Sequence, residues 1–128
     1  MSIELAQRAV ACKHWRWVAG MQSSHGARYL GGDCWVDKGA GGVVYADAND
    51  GELPDLDDPA TIGCLLALVR EAWDDQGLHC AGRYGSVEWL WHVQGGKPHG
   101  ASFRRHVYAI GHGTEAEALV AALEAAPC

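Results

Sequence analysis

Apolar residues recur every three or four positions in three stretches of this chain and alternate with polar residues in others. Leu5, Ala9 and Cys12 fall on one side of a helical repeat, with Glu4, Gln7 and Arg8 on the other. The spacing predicts a first helix capped by Ser2 and running to about residue 14. Ile62, Leu65, Leu66, Val69 and Trp73 form a second apolar stripe. Asp58 suits the N-cap of that helix and Pro59 its first position, while Asp57 and Asp58 favour the positive end of the helix dipole. The helix should end near Asp75, before Gly77. Thr114 and Glu117 make a capping box for a last helix, which buries Ala116, Leu119, Val120 and Leu123.

Between the helices the period shortens. Residues 28–36 read as one strand with a bulge at Gly31-Gly32, and residues 42–46 as its neighbour across a turn at Asp37-Lys38-Gly39. Residues 86–93 alternate: Val87, Trp89, Trp91 and Val93 point one way, and Glu88, Leu90 and His92 the other. Residues 103–110 make the partner strand, with 94–102 as a long flexible loop between. Trp15-Arg16-Trp17-Val18 reads as an extended exit from the first helix. The order is roughly α-ββ-α-βββ-α, an α+β fold in which an antiparallel sheet of about four to five strands carries helices on one face. Length and the absence of internal repeats or linkers predict a single domain over residues 1–128.

Composition narrows this picture. Hydrophobic residues make up 48% and charged residues 20%, which excludes disorder over most of the length. The longest apolar run, residues 62–69, is too short to span a bilayer, and no basic segment leads into an apolar one at the start, so neither membrane nor leader is expected. Five cysteines, an odd count without a C-x-x-C pair, argue against a disulfide framework or a zinc ribbon and suit a reducing cytoplasm. A net charge of −6 opposes nucleic-acid binding. Yet the charge is uneven. Asp47, Asp50, Glu52, Asp55, Asp57 and Asp58 crowd one stretch, whereas Arg83, Lys97, Arg104 and Arg105 face only Glu88 between residues 83 and 113, where His92, His99, His106 and His112 also lie.

No nucleophile elbow, Walker loop, dinucleotide fingerprint or H-E-x-x-H is present, so no catalytic residue and no cofactor is predicted. Gly95-Gly96-Lys97 lacks P-loop spacing, and the histidines are too dispersed to predict a metal. The acidic stretch reads as a phosphate mimic or as a solvated loop that caps a helix, the latter being the simpler. A binding face follows from strand parity. If Val87, Trp89 and Trp91 pack under the helices, then Glu88, Leu90 and His92 face outward with Arg104, His106, Tyr108 and Ile110 of the partner strand, leaving Phe103, Val107 and Ala109 inside. That outward set suits a small anionic nucleotide-like ligand, or a symmetric partner subunit in a homo-oligomer, or it is an ordinary amphipathic face. Trp15 and Trp17 beside Arg16 can stack a base and pair a phosphate, or can anchor the first helix in the core.

Three segments add a resemblance. They are Trp15-Arg16-Trp17 with Gly20-Met21, the run 53–73 through Leu53-Pro54-Asp55 and Asp58-Pro59 to Trp73, and the run 114–126 around Thr114-Glu115-Ala116-Glu117. Together they resemble small uncharacterised proteins of tailed bacteriophages and prophages. The resemblance implies an accessory protein of the host bacterial cytoplasm that acts by binding, as counter-defence proteins do: it sequesters a host-derived ligand such as a nucleotide immune signal. Arg16 and Arg104 would then pair phosphate, Trp15, Trp17 or Tyr108 would stack a base, and His92, Lys97 and His106 would donate hydrogen bonds. The alternative is an inhibitor of a host protein, acting through the acidic loop or an exposed sheet face. A hydrolase built on the histidines is the remaining class.

Overall fold

Capping chemistry sets where two of the helices begin. In the computed structural model, Asp58 sits in extended backbone before Pro59, and its carboxylate accepts from the Thr61 amide at 3.0 Å. Helix α2 (Pro59–Ala72) starts there, and α3 (Glu115–Ala125) starts in the same way. The Thr114 hydroxyl accepts from the Glu117 amide at 3.1 Å, and the Glu117 carboxylate accepts from the Gly113 amide at 3.2 Å. The first helix, α1 (Ile3–Ala11), ends before residue 14 because the chain tightens: the Cys12 amide reaches back only to the Ala9 carbonyl. The structure describes residues 3–37, 39, 41–47, 51–85, 87–98 and 105–127, with backbone only at 96–98, 105 and 106.

Among the described residues the strands are β1 (Arg28–Gly31), β2 (Cys34–Asp37), β3 (Gly42–Tyr45), β4 (His79–Tyr84), β5 (Trp89–Pro98) and β6 (Arg105–His112). They form two antiparallel three-stranded sheets, β1-β2-β3 and β4-β5-β6, so the fold is α+β. The expected single sheet of four to five strands in the order α-ββ-α-βββ-α is therefore corrected to two sheets in the order α-βββ-α-βββ-α. The extra strand has a local cause. Gly31 and Gly32 both take positive φ, 109° and 56°, and turn the segment expected to be one bulged strand into the β1–β2 hairpin. The expected loop at 94–102 is also shortened, since β5 continues to Pro98 opposite Arg105; residues 99–104 lie outside the described residues.

Helix α3 lies on the β4-β5-β6 sheet and also meets α1 and α2. It buries Ala116, Ala118, Leu119, Val120, Ala122 and Leu123, and the sheet answers with Val93 and Ala109. The smaller sheet is held by aromatic contacts: Trp17 and Tyr29 each stand 5.0 Å from Trp35 between ring centroids, and Trp15 sets its edge on Trp17. Arg28 of β1 ties that sheet to α2. Its Nη1 donates to the Gly20 carbonyl at 2.6 Å and to Asp58 Oδ2 at 3.1 Å, while Thr61 Oγ1 accepts from the Gln22 amide. No helix among the described residues is long and apolar enough to cross a membrane.

Two corrections concern strand faces. Trp91 and Val93 do face α3, but the helix does not reach the start of the strand: Val87 is 81% exposed and Trp89 51%. On β6, the one-residue step from Val93 to Gln94 is matched by the two-residue step from Ala109 to Val107, so Tyr108 is an extra residue. Such a bulge breaks strict alternation. It turns Tyr108 with Ala109 towards the helices and puts Val107 on the other face, opposite to the parity expectation for both.

Arg28 and Thr61 hold the Asp58 carboxyl below its ordinary 3.8, the guanidinium hydrogen bond being the main cause. A lowered folded pKa means that this contribution is present at neutral pH and is lost as pH falls through the lowered value. Urea unfolding at pH 7 should show Asp58→Ala less stable by about 1–2 kcal/mol. The deficit of Asp58→Asn, which keeps a cap acceptor, should shrink towards zero on acidification below the lowered pKa.

Candidate functional site

The residues singled out from the sequence occupy separate places. Trp17 is buried and enclosed by Trp15, Tyr29 and Trp35, which leaves no ring face for a base. Trp15 is half-buried; its Nε1 is inaccessible and has no acceptor among the described residues. Arg16 projects to the surface and pairs with Glu71 of α2 at 2.8 Å. His92 lies on the face of β5 opposite Val93, beside Ala81 of β4, and its Nδ1 accepts from the Gly111 amide at 3.2 Å. The backbones of Lys97 and His106 belong to β5 and β6, and Arg104 lies outside the described residues.

Tyr108 is on the helix side. Its ring packs on Trp73 with centroids 4.5 Å apart, and its hydroxyl donates to Asp75 Oδ2 at 2.8 Å. Asp75 is only 1% exposed, and its other oxygen accepts from the Gly77 amide. Burial and the adjoining Asp75 push the Tyr108 phenol up to about 12. Tyr108, His92, Arg16 and Trp17 thus do not converge on one ligand. The buried Asp75–Tyr108 pair was not anticipated from the sequence; its trace there was a turn residue between the end of α2 and Gly77.

A concavity lies elsewhere, a cleft of about 570 Å³ between α1 and the N-terminal halves of α2 and α3. Its apolar wall comes from Leu5, Leu56, Ile62, Leu66 and Ala116, and Gly63 of α2 opens onto it without a side chain. Asp57, Glu115 and Glu117 supply the charge, and among the described residues no cation lines it. The half-burial of Ile62 and Leu66 follows from this, since they lie on the edge of the α2 stripe and not on its centre. One amide at each helix start is capped, that of Thr61 by Asp58 and that of Glu117 by Thr114, and the Gly113 amide before α3 donates to Glu117. An anion there would face three carboxylates, and no described cation lines the rim. Each half of this cleft was legible as a helix start; their meeting was not.

Among the described residues no group of histidine, cysteine and carboxylate side chains is placed to hold a metal ion. The four described cysteines are free, and burial pushes the Cys80 thiol up to about 12, with Glu115 adding to the effect. Comparisons with protein-family models, curated proteins and solved structures found no match to this chain.

Tyr108→Phe leaves a buried carboxylate one donor short and should destabilise the fold by about 1–3 kcal/mol. The raised phenol pKa carries a sign of its own: its contribution is complete below the ordinary value of 10 and is lost as pH rises towards 12. An ultraviolet titration of tyrosine ionisation should show one late-ionising phenol, absent from the Phe variant.

Proposed function

We propose that this protein is a non-catalytic accessory protein of the phage type it resembles, and that it acts by gripping a segment of a host protein in the cleft between α1, α2 and α3. The carrying observation is the charge and shape of that cleft: an apolar wall, three carboxylates and, among the described residues, no cation. Such a surface favours an apolar side chain flanked by lysine or arginine, because the partner's cations approach the rim while its apolar group is desolvated. Inhibition by occupancy is the simplest consequence. A nucleotide is a poorer occupant, since its phosphates would face Asp57, Glu115 and Glu117 and find both helix N-termini already capped.

A labelled peptide alternating leucine and lysine tests this by fluorescence polarisation. Binding should saturate, should weaken several-fold between about 50 and 500 mM salt, and should vanish when glutamate replaces lysine. Gly63→Trp would plug the cleft where no atom lies within 4 Å of an added Cβ. It should abolish binding without loss of stability, because glycine is a poor helix former. Equal binding to the plugged variant, or equal binding of the glutamate peptide, would remove the cleft from consideration. Displacement of the peptide by a nucleotide would restore nucleotide capture as the better reading.

A further inference from the structure

The two edges of the β4-β5-β6 sheet are built differently. On β6 the register shifts repeatedly: Tyr108 is one extra residue, and another lies between Ala109 and His112, where Gly111 takes a φ of 77°. Bulges of this kind twist an edge away from further pairing. On β4 the pairing with β5 is unbroken over six residue pairs, from His79 with Gln94 to Tyr84 with Trp89. Beyond β5 no described residue hydrogen-bonds to the backbone of His79–Tyr84; Arg70 takes the Leu78 carbonyl just before the strand. A straight, regular edge of this length is a template for another strand.

Next to this edge is an aromatic patch. Gly82 has no side chain, and the Trp89 ring lies across it; a Cβ there would collide with the ring. Trp89 is 51% exposed and the neighbouring Tyr84 73%, on the same side of the sheet as α3. We infer that β4 is a dimerisation edge, paired antiparallel with β4 of a second copy of this chain about a two-fold axis normal to the sheet. The two sheets then become one of six strands.

The strand suits itself for three reasons. A two-fold axis lets one set of unpaired amides and carbonyls satisfy the same set in the other copy. It keeps α3 of both copies on one side, and with Gly82 on the axis it sets the two Trp89 rings, each lying across its own Gly82, side by side, with each Tyr84 opposite Cys80 of the other copy on that face. The only formal charge on β4 is Arg83, which stands opposite His79 or Ala81 when Ala81 or Gly82 lies on the axis, so no like charges oppose. The area is adequate. Rings of about 150–250 Å² at these exposures leave roughly 500 Å² of aromatic surface over two copies. That is about half of the ~1,000 Å² that a specific interface needs, and the strand edges add the rest. This inference does not depend on the cleft.

Sedimentation equilibrium of the full chain should return twice the 13.7 kDa monomer mass, with dissociation on dilution. Tyr84→Lys changes an exposed residue and should weaken the dimer about tenfold or more. Tyr45→Lys, equally exposed on the other sheet, should leave it unchanged. Amide exchange over 79–84 should slow as dimer forms. A monomer at every concentration, a mass that grows without limit, or a dimer broken by Tyr45→Lys and not by Tyr84→Lys would each overturn the inference.

Discussion

The helices and the β4-β5-β6 sheet are arranged around the enclosure of α3. Its buried residues face α1, α2 and the β4-β5-β6 sheet at once, which is possible because Ala116, Ala118 and Ala122 let neighbouring backbones approach closely. Both ends are tied: the Thr114–Glu117 capping box holds the start, and near the end the Trp73 indole donates to the Ala122 carbonyl at 2.8 Å. Arg8 of α1 adds a surface pair with Glu124, which contributes little by comparison. Length sets the limit of this arrangement. Eleven helical residues reach about 16 Å, whereas ten strand residues reach about 33 Å. One helix cannot roof β5, so Val93 is sealed, Trp91 partly covered and Trp89 left half in solvent.

The same groups that start the helices give the cleft its sign. Glu115 and Glu117 occupy the first turn of α3, where a negative charge is stabilised by the helix dipole, and Asp57 precedes the cap of α2. Carboxylates placed for helix stability thus become the rim of an apolar cavity once α1 brings Leu5 between them. Fold and electrostatics are coupled here: removing an acid to alter partner choice also weakens a helix start. This is why filling the cleft at Gly63 separates the two effects better than charge reversal does.

How far the sequence could be read depended on whether a feature was local. The Asp58-Pro59 start of α2 and the Thr114–Glu117 box needed only neighbouring residues, and both stand where the pattern put them. The parity of β5 held as far as Val93 and Trp91 and then misled at Val87 and Trp89, because side-chain direction is local while coverage depends on the reach of α3. Tyr108 failed for another reason. Alternation assumes a regular ladder, and one inserted residue in β6 reverses the face of everything beyond it. Gly31-Gly32 was seen as a break, but a bulge and a hairpin use the same glycine chemistry, and the choice rested on Cys34–Asp37 pairing back onto Arg28–Gly31.

Charge along the chain is likewise a poor guide to charge on the surface. The acidic run 47–58 looks like one patch, yet its described members separate. Asp58 turns in towards Arg28 and Thr61, Asp55 accepts from the Gln22 side chain at 3.2 Å, and Glu52 pairs with His25 at 3.3 Å. Of the run's described members only Asp57 supplies a carboxylate to the cleft, where Glu115 and Glu117 join it from a helix more than fifty residues away. The basic stretch divides in the same way, with His92 and Tyr108 on opposite faces of one sheet. A partner meets surfaces and not segments. Among the described residues, the cleft assembled from α1, α2 and α3 carries charge of one sign beside an apolar wall, and its character follows from helix capping, which no count of charges along the chain conveys.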